Sequence, residues 1–186
     1  SQTTTADFVE NFLSARKDAL GHENLIFPSS ADEIRVLSDG KECHIFHQEI
    51  QSGSQTRPVH GSRVNVLVLP GTTDKVGHVG MSLVAPPATA FPDETNDISA
   101  QDAIDTVTTQ YGALTYATPE KVFFQDDDEV LYRVWRFYGH DDDEAHLFFV
   151  DAIADTIVAV KPATANSNPS ISGNVSGWGS PGTGVD

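Results

Sequence analysis

Val130-Leu131-Tyr132-Arg133-Val134-Trp135-Arg136-Phe137-Tyr138 carries large apolar side chains on both of its alternating faces. In an extended strand Val130, Tyr132, Val134, Arg136 and Tyr138 point one way, and Leu131, Arg133, Trp135 and Phe137 the other. The next strand-like run, His146 to Ala152, sets His146, Phe148 and Val150 against Leu147, Phe149 and Asp151. A half-exposed antiparallel sheet keeps its apolar residues on one face, so a strand with two apolar faces has to be covered twice. One cover is the helix that precedes these strands. Trp135, Phe137, Leu147 and Phe149 are expected on the opposite side, beneath either residues 5–84 or a partner protein, because large apolar patches are rarely left wet.

Working outward, Ser99 caps a helix with Asp102 three residues on, and Ala100, Ala103, Ile104, Val107 and Tyr111 recur at helical spacing up to Gly112. Strands are expected at Lys121–Gln125, Val130–Tyr138, His146–Ala152 and Thr156–Val160. The acidic runs Asp126–Glu129 and Asp141–Glu144 separate the first three. The first half repeats this order. A helix over residues 5–20 gathers Phe8, Phe12, Ala15 and Ala19 on one face, widened by Val9, Leu13 and Leu20, with Gly21 as its stop. Strands follow at Glu33–Leu37, Glu42–Ile50, Arg63–Leu69 and Val76–Val84. An Asp39-Gly40 hairpin joins the first two, Gln51–Arg57 is a polar loop, and Pro70–Asp74 is a turn.

The chain has 186 residues, enough for one or two small domains with real cores, and 39% hydrophobic residues with ten Phe argue against wholesale disorder. Its net charge of −16 comes from 27 acidic against 11 basic residues. Binding to phosphates of nucleic acid or to anionic lipid needs clustered Lys and Arg, so neither is expected. The acidity reads as solubility or a saline environment, and in sharper form as attraction for a cation or a basic partner. Cys43, the single cysteine, excludes an intramolecular disulfide and reads as a buried, inert thiol. No apolar run is long enough to span a membrane as a helix. Ser1-Gln2-Thr3-Thr4-Thr5 has neither the basic nor the apolar part of a signal peptide, so the start reads either as one left by processing or as an arbitrary boundary in a longer chain. Asn174-Val175-Ser176 is a glycosylation sequon of little weight alone.

Catalytic signatures are missing. A zinc peptidase needs H-E-x-x-H, which does not occur. His44 and His47 are three apart on a strand and point to opposite faces, so they are poor metal partners. His60, His78 and His140 lie at or near turns and receive no role. The acidic runs fit no EF-hand loop and read as solvated hairpin turns, with calcium binding as the rival reading. No G-x-S-x-G places a nucleophile, and Gly177-Trp178-Gly179 lacks the rest of a phosphate motif. Catalytic, cofactor-binding and metal-ligating residues are therefore set at none, no cofactor is expected, and the chain is read as no enzyme.

Two stretches resemble known families. ISAQDAIDTVTTQYG, VLYRVWRFY and LFFVDAIADTIVAV resemble the PepSY domain. ECHIFHQEI, RPVHGSRVNVLVL and KVGHVGMSL, within Glu42–Leu83, resemble the fungalysin/thermolysin propeptide (FTP) domain, with His44, Gln48, Pro58, Val59 and Gly61 on its pattern. The departures are Asp155 where the PepSY closing turn has Gly, QSGSQT before Arg57 in place of a compact glycine turn, and no peptidase sequence following.

The resemblance implies an α+β fold of two cystatin-like units, each one helix packed on a small antiparallel sheet. Residues 1–84 would form the FTP-like unit, 85–97 a linker and 98–161 the PepSY-like unit. Residues 162–186 would be a tail, with one weak strand through Ile171, Val175 and Trp178, leading to an absent downstream domain. It further implies a secreted, non-catalytic pro-region of a thermolysin- or fungalysin-like zinc metallopeptidase. Such a region acts as intramolecular chaperone and temporary inhibitor, with the catalytic domain in cis as partner. The alternative is an FTP/PepSY-type binding module of a non-protease secreted protein, contacting a neighbouring domain or peptide through its sheet face.

Overall fold

A computed structural model of the chain describes residues 5–16, 26–69, 75–142 and 144–163. The end of the first helix with Gly21, the turn Pro70–Asp74, Asp143, and the tail with its weak strand, sequon and Gly177-Trp178-Gly179 lie outside the described residues. Among the described residues two helices, α1 (Thr5–Ser14) and α2 (Ala100–Tyr111), accompany nine strands. These are β1 (Glu33–Val36), β2 (Glu42–Ser52), β3 (Gln55–Leu69), β4 (Lys75–Ser82), β5 (Thr115–Tyr116), β6 (Glu120–Gln125), β7 (Leu131–His140), β8 (Ala145–Asp151) and β9 (Ile157–Pro162).

The expectation of two cystatin-like units is corrected here. The strands belong to one mixed nine-stranded sheet in the order β1-β2-β3-β6-β7-β8-β9, with β4 on β3 and β5 on β7. The physical reason lies in β6. Val122, Phe123 and Phe124 are consecutive and all buried, so the strand has no polar face to give to solvent. It pairs in parallel with β3 through Val59 and Phe123, a connection no local hairpin supplies. By contacts the described residues of Ser1–Thr95 with Val122–Leu131 form one compact unit, and those of Asn96–Lys121 with Tyr132–Asp186 a second.

In the first unit, Val9 and Leu13 lie one helical turn apart and are buried on Phe46, Val64, Val66 and Val68. Phe8 and Phe12 flank this stripe, half-buried. The Ser38–Gly40 turn closes β1 on β2, with Gly40 at φ 81°. The expected polar loop Gln51–Arg57 is instead a tight hairpin, because β2 and β3 stay paired to Ser52 and Gln55. Gly53, at φ 59°, supports that turn, and a Cβ there would stand 2.8 Å from the Asp93 backbone. A second cluster joins Ile50, Val59 and Phe123 with Phe91 and Leu131.

In the second unit, Ser99 and Asp102 form a full capping box, and Gly112 ends α2 at φ 84°. Ala103 and Val107 pack on Phe137, Phe148 and Val150. Trp135 pairs with Val150, and Phe137 with Phe148, so Trp135 and Phe137 sit on the helix side. The sequence reading placed them opposite, beside Leu147 and Phe149. Those two pair with Tyr138 and Arg136 on the other face. The turn after His140 sets this register, with His140 opposite Ala145, and the composition of the strands does not reveal it.

Candidate functional site

The residues that carry the FTP resemblance have structural positions. β3 pairs with two partners along its length: Arg63–Leu69 with β4, and Val59 with β6. Gly61, at φ 77°, marks the change. Across from it β2 shifts register between His47 and Glu49. The intervening Gln48 is fully buried. Its amide nitrogen donates to the Val84 carbonyl at 2.7 Å, while its oxygen accepts from Val84 N–H at 2.9 Å and the Ser62 hydroxyl at 2.6 Å. One buried side chain thus ties the main chain just beyond β4, at Val84, and the Ser62 hydroxyl of β3 to the shifted part of β2. Val59 is buried beside this node, while Pro58 is exposed.

His44 is buried, with Nε2 at 3.0 Å from Glu42. His47 lies 3.1 Å from Asp32, whose carboxylate also accepts the His47 backbone N–H. They pair with Val66 and Arg63 respectively, positions that differ in parity, so the two imidazoles face opposite ways. Among the described residues no three His, Cys, Asp or Glu side chains are placed to hold a metal. Burial pushes the Cys43 thiol up, against the nearby charges of Arg35 and Arg63, which favours the neutral, unreactive form.

In the acidic turns the first aspartate is used locally. Asp126 accepts the Asp128 and Val130 N–H groups, and Asp141 accepts that of Glu144 at 2.8 Å. Two ion-pair groups were not legible in the sequence. In the first unit Arg57 holds Glu94 at 2.9 Å through both Nε and Nη2, tying residues 91–95 to the β2–β3 hairpin. In the second, Asp97 is buried between Lys121, at 2.8 Å, and Arg133. Trp135 lies under Lys121 and donates its indole N–H to the Ile98 carbonyl at 3.0 Å. No spacing signal marks Asp97 as the partner of a strand arginine so far along the chain.

Two concavities among the described residues are built from the elements above. One, of about 260 Å³, is polar and bounded by Ser52, Ser54, Gln55 and Asp93–Thr95. The other, of about 600 Å³, runs between α2 and β9 in the second unit. In the first the Ser52 hydroxyl donates to Glu94 at 3.0 Å, a carboxylate also held by Arg57, and in the second the Thr106 hydroxyl donates to Asp155 at 2.6 Å.

No protein-family model matches this chain. No curated protein matches it either. Among solved structures, the Bacillus megaterium YpeB C-terminal domain is similar over 87% of this chain, at 13% identity and a TM-score of 0.41. This chain spans 66% of that domain's length. The likeness assigns neither activity nor partner.

Proposed function

We propose that the chain is a non-catalytic pro-region of a secreted metallopeptidase, acting as intramolecular chaperone and temporary inhibitor. The observation that supports this reading is the Gln48 node. Gln48, Val59 and Gly61, three residues that carry the FTP resemblance, meet where β3 changes partners. Gln48 and Val59 are buried there and Gly61 supplies the left-handed backbone, while Pro58 is exposed and His44 pairs with Glu42.

A pro-region on the same chain as its peptidase acts at high effective concentration, so modest intrinsic affinity suffices to hold and then release it. The test mixes the purified chain with a thermolysin-like zinc peptidase, native and denatured. Slower peptide hydrolysis by the native enzyme or faster recovery of the denatured one supports the reading, and neither effect overturns it. The second reading is a binding module in a non-protease secreted protein, and the open groove beside β9 favours it.

A further inference from the structure

We propose that the groove between α2 and the outer edge of β9 holds an extended peptide segment bearing Lys or Arg, added to the sheet as a further strand. This deepens the reading of the chain as a non-catalytic binding protein by naming the surface and the chemistry of what it holds.

β9 ends the strand order, and among the described residues no strand pairs with its outer edge. The direction of its main chain follows from one bond. Ala163 N–H donates to the Ala145 carbonyl at 2.8 Å, so Lys161 and Ala159, opposite Leu147 and Phe149, also turn their N–H groups towards β8. Val160 therefore turns its N–H outward. Pro162 occupies the next outward position and has no N–H to offer. A register shift opposite Phe149/Val150 disturbs the ladder at the other end. Pairing is thus confined to Ile157–Val160. That suits a short segment and discourages open-ended strand stacking.

The groove is a shallow, open depression of about 600 Å³ along the sheet edge. Ile157 and Val160 line its apolar side, and both pack on the α2 core cluster. Tyr111, 42% exposed, contacts Phe148 edge-on at 5.2 Å and leaves ring surface for an incoming side chain. The Thr106 hydroxyl bonds Asp155 at 2.6 Å and fixes α2 to the turn that opens β9. Charge selects the occupant. Asp155 is the one charged side chain in the lining, α2 carries Asp102 and Asp105 outside it and no Lys or Arg, and Lys161 of β9 lies over the Phe149 ring on the face away from α2. A second copy of a chain with net charge −16 would meet like charge there, whereas a cationic segment meets opposite charge.

The test is amide NMR on the full chain with two decapeptides, one alternating Lys and Val, the other Glu and Val. The Lys peptide is expected to shift the Ile157–Val160 amides and the facing turns of α2, and the Glu peptide to leave them unchanged. Val160→Pro removes an outward N–H without removing a bond to β8. It should weaken Lys-peptide binding by up to about tenfold, the worth of one main-chain hydrogen bond. Gln110→Lys, on the helix wall, should weaken it through charge alone.

Shifts scattered over the acidic surface overturn the proposal. So does a Val160 amide already protected from exchange in the free chain, because its N–H turns away from β8 and protection would mean an occupant within the chain. Self-association with shifts at this edge identifies a second copy instead and also overturns it. Should Val160→Pro still inhibit a thermolysin-like peptidase as the parent chain does, while losing no peptide affinity, the groove fails and the pro-region reading stands. Localised peptide binding by a parent chain that neither inhibits nor refolds such an enzyme supports the groove and removes the pro-region reading.

Discussion

Replacing Gln48 with alanine would strip this partner from both the N–H and the carbonyl of Val84 in one step, while the Ser62 hydroxyl keeps the Ser82 carbonyl at 2.9 Å as acceptor. Unsatisfied groups of this kind cost about 1–3 kcal/mol each when buried, and Val84 is half-buried, so urea unfolding of Gln48→Ala should show a loss of roughly 2 kcal/mol. A conservative Gln48→Glu places a buried charge beside the Val84 carbonyl and should do no better. Asp97 is a comparable case in the second unit, 2% exposed between Lys121 and Arg133. Asp97→Ala leaves those cations without their shared anion, and a loss of about 3–5 kcal/mol is expected in the same measurement. The sequence offered Gln48 only through a resemblance and gave no hint of Asp97. A buried polar residue looks like any surface one until the fold names its partners.

At the scale of elements, α2 was the most legible part of the chain. Its cap, its apolar spacing and its stop all lie within fourteen residues of Ser99, close enough for local rules to decide them. The Ser99 hydroxyl and backbone hold the Asp102 carboxyl below its ordinary range. The sign follows directly. The cap's contribution is complete above the ordinary aspartate range and is lost as pH falls through the lowered value. Asp102→Asn should therefore flatten the acid limb of a Tm-against-pH curve below about pH 4 while changing its neutral plateau less.

The strands were less legible. Their existence followed from alternation, but the pairing of β6 with β3 rests on a single parallel bridge far apart in sequence. The cross-strand faces of β7 and β8 depend on a turn whose four acidic residues carry no register signal. The hairpin at Gly53 was read as loop because Gln51–Arg57 is polar, although both strands run on through it.

For the molecule as a whole, the charge of −16 acts as a diffuse self-repulsion that salt screens over about 10 Å at 0.1 M. Tm is expected to rise between low salt and about 0.5 M NaCl. A flat or falling response would show that the few exposed ion pairs outweigh the repulsion. The first unit, meanwhile, is discontinuous in sequence. A fragment ending at residue 97 would lack Phe123, which packs with Ile50, Val59 and Phe91. Such a fragment should bind a hydrophobic dye and unfold without a sharp transition. Cooperative unfolding of residues 1–97 alone would refute this.

That discontinuity has a consequence in time. A ribosome releases β2 and β3 well before it makes Phe123. Until then the greasy seat formed by Ile50 and Val59 stands open, and only a long loop closure can fill it. The nascent chain is therefore most vulnerable in mid-synthesis. A premature stop anywhere between residues 97 and 122 would release a product that cellular quality control should recognise by this open seat.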